Sequence, residues 1–112
     1  MSPVKRKVQY QIVVTTVAKK SDAIRITKAV IAARLAACVQ ISPIRSVYRW
    51  KGKVESASEF RLEAKTSVGL AKPLMTFIRA RHPYEVPEIV TLSLMDGYAP
   101  YLRWISDETR QA

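Results

Sequence analysis

The stretch HPYEVPEI, residues 82–89, fixes where a helix ends and where the last strand of the sheet begins. Each proline holds its own φ at about −65° and pushes the residue before it into extended backbone. We therefore predict that His82 and Val86 are extended and that a helix ends at about Arg81 or His82. The stretch then presents an imidazole, a phenol and two carboxylates on a stiff tether, which suits a binding site.

The sequence on both sides of this stretch alternates between strand-like and helix-like periodicity. Alternating or β-branched runs predict four strands, at residues 8–17, 39–50, 54–66 and 88–95. Apolar arcs predict helices at residues 22–37 and 68–81, and Pro100 opens a short C-terminal helix. The order βαββαβ plus a terminal helix predicts an α+β domain of the ferredoxin-like, split βαβ class.

The second and third strands form a long β-hairpin that turns at Lys51 and Gly52, where glycine supplies a positive φ. Pro43 has no N–H to donate, so it predicts a bulge or an edge position in the first arm. In the second arm an apolar or small set alternates with a charged set. This alternation predicts one buried face, with Phe60, Leu62, Ala64 and Thr66, and one solvent-facing side, with Glu59, Arg61, Glu63 and Lys65.

The first helix is predicted to begin at a cap formed by Ser21 or Asp22 and to continue to Ala37. Arg34 interrupts its apolar arc. Near the C-terminus of a helix an arginine cation interacts favourably with the helix dipole, and its aliphatic part can cover apolar surface. We therefore assign Arg34 a structural role.

Length and composition predict one domain over residues 1–112, in which residues 1–7 form a flexible basic N-terminus. No apolar run approaches the roughly 20 residues of a membrane span, and the N-terminus lacks an apolar signal core. We therefore expect a cytoplasmic protein with no membrane partner. Its one cysteine, Cys38, is expected to be a reduced thiol.

The net charge of +10 raises the question of a nucleic-acid partner. An RNA-recognition domain of this class would place several aromatic residues on its third strand, but residues 59–63 offer one aromatic residue and two carboxylates. The basic residues are also dispersed along the chain. Nucleic acid is therefore an unlikely partner despite the charge.

Metal binding and catalysis draw on the same few side chains. The available donors are Cys38, His82, Glu85 and Glu88, and imidazole with carboxylate suits Cu(II) or Zn(II). Their spacing closes no coordination sphere by itself. A Cys38–His82 nucleophile would require the two to meet, but Cys38 lies among apolar residues, as core cysteines do. We expect a protein that is not an enzyme and has no obligatory cofactor, with Cu(II) or another divalent cation as its candidate ligand.

The HPYE-x-PE run resembles the signature of the CutA family of divalent-cation tolerance proteins. Further segments match in order and spacing between residues 8 and 108, namely Thr15-Thr16, residues 35–41, residues 46–53, Lys65-Thr66 and Tyr101-Leu102-x-Trp104. The resemblance implies a homotrimer whose sheets pack around a three-fold axis and whose hairpin reaches a neighbouring subunit. It also implies copper binding, with Cys38 and His82 at positions that match the family's cysteine and histidine motifs.

A second interpretation places a polar and aromatic set in a cleft between subunits: Tyr48, Trp50, Glu59, Lys65, Tyr84 and Trp104, beside His82 and Glu88. The CutA trimer is similar to the PII signalling proteins, so this set suggests a signalling or scaffold trimer that binds a small effector. The same residues also suit a purely structural role at the trimer interface, because aromatic residues with polar tips are enriched there.

Overall fold

The computed structural model describes residues 7–111, so most of the predicted flexible N-terminus, residues 1–6, lies outside the described residues. Four strands form one antiparallel sheet in the order β2-β3-β1-β4: β1 (Tyr10–Val17), β2 (Cys38–Trp50), β3 (Lys53–Ser67) and β4 (Ile89–Leu94). The helices are α1 (Lys20–Ala32), α2 (Ala71–Arg81) and α3 (Ala99–Glu108). The predicted order of elements is confirmed.

The core lies between one face of the sheet and helices α1 and α2. Residues directly opposite each other in neighbouring strands share a face, so Val13 of β1 and its partner Ala64 of β3 point to the same side. The buried cluster adds Val17, Leu62, Ile26, Val30, Leu74 and Ile78, each at most 2% exposed. A short 3₁₀ turn, Val68–Leu70, replaces the predicted first turn of α2.

The β2–β3 hairpin extends beyond the rest of the sheet. Its register is continuous from Cys38 opposite Lys65 to Trp50 opposite Lys53, so Pro43 causes no bulge and sits on an edge strand. Lys51 and Gly52 have φ values of 49° and 81°, the two positive values of a tight hairpin turn. Because β1 pairs with β3 only from Phe60 to Ser67, the far half of the hairpin is a ribbon of two strands.

Helix α1 differs from its prediction at both ends. It begins at Lys20 with no side-chain cap and ends at Ala32, five residues before the predicted Ala37. The early end follows from Arg34, whose φ of 55° turns the chain back, and from Thr66, whose hydroxyl donates to the Leu35 carbonyl at 2.6 Å. These two residues bring Leu35 into the core at 1% exposure.

Arg34 therefore connects two elements instead of lying inside a helix. Its guanidinium donates to the carbonyl of Asp107 at 3.0 Å, and its own carbonyl accepts the N–H of Arg110 at 2.9 Å. The residue fastens the end of α1 to the end of α3.

The second face of the sheet is covered in part, by α3 at one end and by the segment between α2 and β4 at the other. Helix α3 packs with Ile105 at 0% exposure, and the Tyr10 hydroxyl lies 2.7 Å from the Ser106 hydroxyl. Beyond α3 the strands β1 and β4 present an apolar surface, which we call the open face and define by Ile12, Val90 and Leu92; Val14 points to the same side but is fully buried. Of these, Val90 is 47% and Leu92 is 48% exposed, as expected for a sheet face that the helices leave uncovered.

None of the helices within residues 7–111 is both long and apolar enough to cross a membrane.

Candidate functional site

A cavity of about 560 Å³ lies between the hairpin and the tether that joins α2 to β4. Its lining consists of one residue from β1, several from the hairpin and several from the tether. They are Thr16, Ser46, Val47, Tyr48, Trp50, Glu59, Tyr84, Glu85, Val86 and Glu88. We call this cavity the cleft. It brings together six of the ten residues that the sequence singled out.

The hairpin supplies one wall of the cleft through its strand periodicity. Tyr48 and Trp50 are alternate residues of β2 and therefore share a face. Glu59 of β3 lies opposite Ile44, also an even-numbered residue of β2, so its carboxylate belongs to that same face. The tether supplies the other wall, because Pro83 and Pro87 hold it extended across the end of the sheet.

Glu59 is buried at 7% exposure, so its predicted place on a solvent-facing side is wrong. The reason is Tyr84, which the tether carries over the hairpin and whose hydroxyl donates to Glu59 Oε2 at 2.6 Å. Burial and this hydrogen bond to a carboxylate raise the pKa of the Tyr84 hydroxyl well above its ordinary value. Tyr84 therefore stays protonated and acts as the donor.

His82 lies behind the cleft at 8% exposure, and both of its ring nitrogens are engaged. Nδ1 accepts the backbone N–H of Tyr84 at 3.1 Å, so the proton is on Nε2, which donates to the Thr16 carbonyl at 2.9 Å. The ring also meets the ring of Tyr84 edge-on, with centroids 4.8 Å apart. His82 thus fixes the tether to β1 and sets the position of Tyr84.

The stability of the protein is expected to fall as the pH drops below about 6.5. Burial is the main cause that lowers the pKa of His82, and nearby Arg79 lowers it further. Below the ordinary pKa of histidine, His82 binds a proton in the unfolded chain but stays neutral in the folded chain. The free energy of unfolding therefore has its full value above that pH and decreases as the pH falls towards the lower pKa of the folded state.

Urea unfolding at fixed protein concentration, from about pH 7 to about pH 5, measures this effect in the wild type and in His82→Gln. His82 is the only histidine, so the decline in this window should largely disappear in the variant. An equal decline in both proteins would assign it to other groups.

The sequence and the fold match those of a known family. A sequence model of the CutA1 divalent ion tolerance protein matches residues 11–108. The chain belongs to the CutA1 family. It is 41% identical over 100 residues to the divalent-cation tolerance protein CutA of Thermus thermophilus, in a match that covers 88% of this chain and 97% of that protein.

Two further relatives show the extent of the likeness. Protein CutA of Mus musculus is 46% identical over 85 residues, which cover 75% of this chain but 48% of the mouse protein. The chain thus spans about half the length of several curated relatives that it matches. The crystal structure of CutA1 from Oryza sativa superimposes with a TM-score of 0.90 at 39% identity, covering 94% of this chain and 97% of that one.

In this CutA1-family chain the four predicted metal donors do not come together. Glu85 and Glu88 line the cleft, and His82 uses both ring nitrogens behind it. Cys38 is half-buried at the start of β2, opposite Lys65, and does not line the cleft. Within residues 7–111 no group of three or more His, Cys, Asp or Glu side chains is placed to hold one ion.

Lys65 and Trp104 form a separate cluster around Tyr101 of α3. The Lys65 ammonium lies 3.2 Å from the Tyr101 hydroxyl and 5.3 Å from the centre of its ring, and Tyr101 stacks on Trp104 at 5.5 Å. Of these two predicted cleft residues, Trp104 thus lies on α3 and Lys65 lies against it, and neither lines the cleft.

Sequence reasoning missed Thr16, Ser46, Val47 and Val86 of the lining. The period of two along β2 places Ser46 in line with Tyr48 and Trp50, and that signal was available. No local pattern places Thr16 there, because its role depends on the tether crossing the end of β1.

Proposed function

We propose that this chain acts in divalent-cation tolerance as a homotrimer of ferredoxin-like protomers that binds a divalent cation without catalysis, with copper as the first candidate. The observation that carries the proposal is the charge of the cleft. Its lining contains Glu59, Glu85 and Glu88 but no lysine or arginine, in a chain whose net charge is +10. A cavity lined by one sign of charge concentrates the opposite ion.

Glu85 and Glu88 are the donors nearest to solvent, and their oxygens suit a divalent cation. Two carboxylates are too few to close a coordination sphere, so water or a second subunit supplies the rest. Cu(II) also favours imidazole. His82 becomes a ligand only by giving up one of its two hydrogen bonds, and Cys38 enters such a site only from another subunit.

The trimer is supported by two surfaces that a single protomer leaves uncovered. The open face holds Val90 and Leu92 about half exposed, and the ribbon of the hairpin exposes Val47 by 68% and Val54 by 64%. Two-stranded ribbons are marginally stable alone in water, and contiguous exposed apolar surface marks an interface. The cytoplasmic location stays a prediction.

A Cu(II) titration against a competing chelator tests the metal proposal. The double variant Glu85→Gln/Glu88→Gln should bind Cu(II) at least about tenfold more weakly, because each lost carboxylate removes a charged ligand. The matched control, Asp107→Asn/Glu108→Gln, removes the same charge from the exposed end of α3 and should bind as the wild type does. Equal affinity of the wild type and the Glu85/Glu88 variant for Cu(II) would overturn the proposal. The variant Cys38→Ser measures how much the thiol contributes to the affinity for Cu(II).

The second candidate is a PII-like signalling or scaffold trimer that binds a small effector in the cleft. The aromatic lining favours it, since Tyr48, Trp50 and Tyr84 offer apolar contact that a metal ion does not use. The volume of about 560 Å³ also lies within the range of small-molecule sites.

A further inference from the structure

Glu59 is a buried carboxylate without a cationic partner. It is 7% exposed, and its one hydrogen bond within residues 7–111 is the one that Oε2 accepts from the Tyr84 hydroxyl. Arg25 pairs with Asp22 and Arg61 pairs with Glu63, and neither ion pair involves Glu59. The other oxygen, Oε1, accepts no hydrogen bond within residues 7–111, so it is the carboxylate atom left for a ligand that enters the cleft.

The surroundings of Glu59 are aromatic. Tyr48, Trp50 and Tyr84 line the same cleft, and the faces of aromatic rings carry negative potential that attracts ammonium groups. The hairpin already contains one such contact, because the Lys51 ammonium lies 5.6 Å from the centre of the Trp50 ring. A cation that enters the cleft therefore meets a carboxylate and three aromatic side chains in the same cavity.

A metal ion fits poorly at the buried part of the cleft around Glu59, which we call its inner end. Hard divalent cations take six or more oxygen ligands, and Glu59 has no companion ligands of that kind, since no group of three acidic, histidine or cysteine side chains is gathered among the described residues. An ammonium group needs only one anion and fills its remaining contacts with rings and hydroxyls. The lining also includes the apolar side chains Val47 and Val86, which suit a hydrocarbon body.

We infer that the inner end of the cleft binds a small primary amine, whose ammonium group donates to Glu59 Oε1 and whose apolar body lies against Tyr48 and Trp50. The inference uses the cleft of the proposed function but does not require metal binding. It names the kind of effector that the second candidate function needs. Glu85 and Glu88, at the solvent side, raise the local concentration of any cation that enters.

The test is an NMR titration of the assembled wild-type protein with butylamine and, separately, with 1-butanol, its neutral counterpart. A metal chelator is present, and the buffer is at about pH 7.5, where the alkylamine is protonated. Butylamine should bind saturably and shift the signals of cleft residues such as Trp50 and Tyr84. The affinity for the alcohol should be at least about tenfold lower, because the alcohol lacks the charge that pairs with Glu59.

The deciding variant is Glu59→Gln, whose amide oxygen still accepts the Tyr84 hydroxyl, so the cleft keeps its shape. It should weaken butylamine binding about tenfold or more. The matched control is Glu63→Gln, four residues along the same strand and outside the cleft, which should bind as the wild type does. Equal binding by Glu59→Gln and wild type, or equal binding of the alcohol and the amine, would overturn the inference.

The amine titration and the copper titration fail independently. If Glu59→Gln loses amine binding but keeps Cu(II) binding, the amine site at Glu59 is separate from the metal site at Glu85 and Glu88. If butylamine does not bind, the inference fails and the Cu(II) result from the Glu85/Glu88 variant stands.

Discussion

Replacing Leu92 with aspartate is expected to dissociate the proposed trimer into folded protomers of 12.7 kDa. Leu92 lies opposite Ile12 at the centre of the open face and is 48% exposed in the protomer. An aspartate there stays hydrated in the isolated protomer and costs its fold little. In a trimer packed on the open face the same carboxylate would be desolvated at the interface, which costs several kcal/mol for each buried charge.

Light scattering at micromolar concentration measures the mass, and circular dichroism reports whether the protomer stays folded. Ser93→Asp is the control, because Ser93 is exposed on the same strand but faces the other side of the sheet. This variant should keep the trimer mass. A trimeric Leu92→Asp protein would place the interface elsewhere, and a monomeric wild type would remove the trimer altogether.

Replacing His82 with alanine is expected to lower the free energy of unfolding by about 3 kcal/mol. The ring is 8% exposed and joins two segments, through Thr16 on one side and Tyr84 on the other. Alanine leaves the Thr16 carbonyl and the Tyr84 N–H without partners and opens a cavity behind the cleft. Each unpaired buried group costs about 1–3 kcal/mol.

Urea unfolding at one protein concentration measures this loss, since the stability of an oligomer depends on concentration. Val86→Ala is the control on the same tether, because Val86 is 66% exposed, and it should change the free energy of unfolding by at most about 0.5 kcal/mol. A His82→Ala protein as stable as the wild type would show that the two hydrogen bonds do not hold the tether.

Features set by neighbouring residues could be predicted from the sequence. The end of α2 at Arg81 followed from Pro83, and the hairpin turn followed from the glycine at position 52. The start of α3 followed from Pro100, which lies in its first turn. In each case the backbone preference of one residue decides the local conformation.

Features set by distant contacts could not be predicted. Glu59 belongs by alternation to a solvent-facing side, and it is buried because Tyr84, 25 residues along the chain, covers it. The Leu35 carbonyl leaves α1 for the hydroxyl of Thr66, 31 residues away, so the helix ends early. Histidine is a common metal ligand, but both ring nitrogens of His82 form hydrogen bonds with backbone groups. No local sequence pattern predicts these two hydrogen bonds.

Growth at raised copper of cells that lack their own CutA protein shows whether the acidic cleft carries divalent-cation tolerance. The cells are supplied with the wild type or with the triple variant Glu59→Gln/Glu85→Gln/Glu88→Gln, at equal abundance and with the trimer mass verified. If the acidic cleft carries divalent-cation tolerance, the wild type restores growth and the triple variant does not. Equal restoration by the two proteins would show that tolerance does not depend on the carboxylates of the cleft.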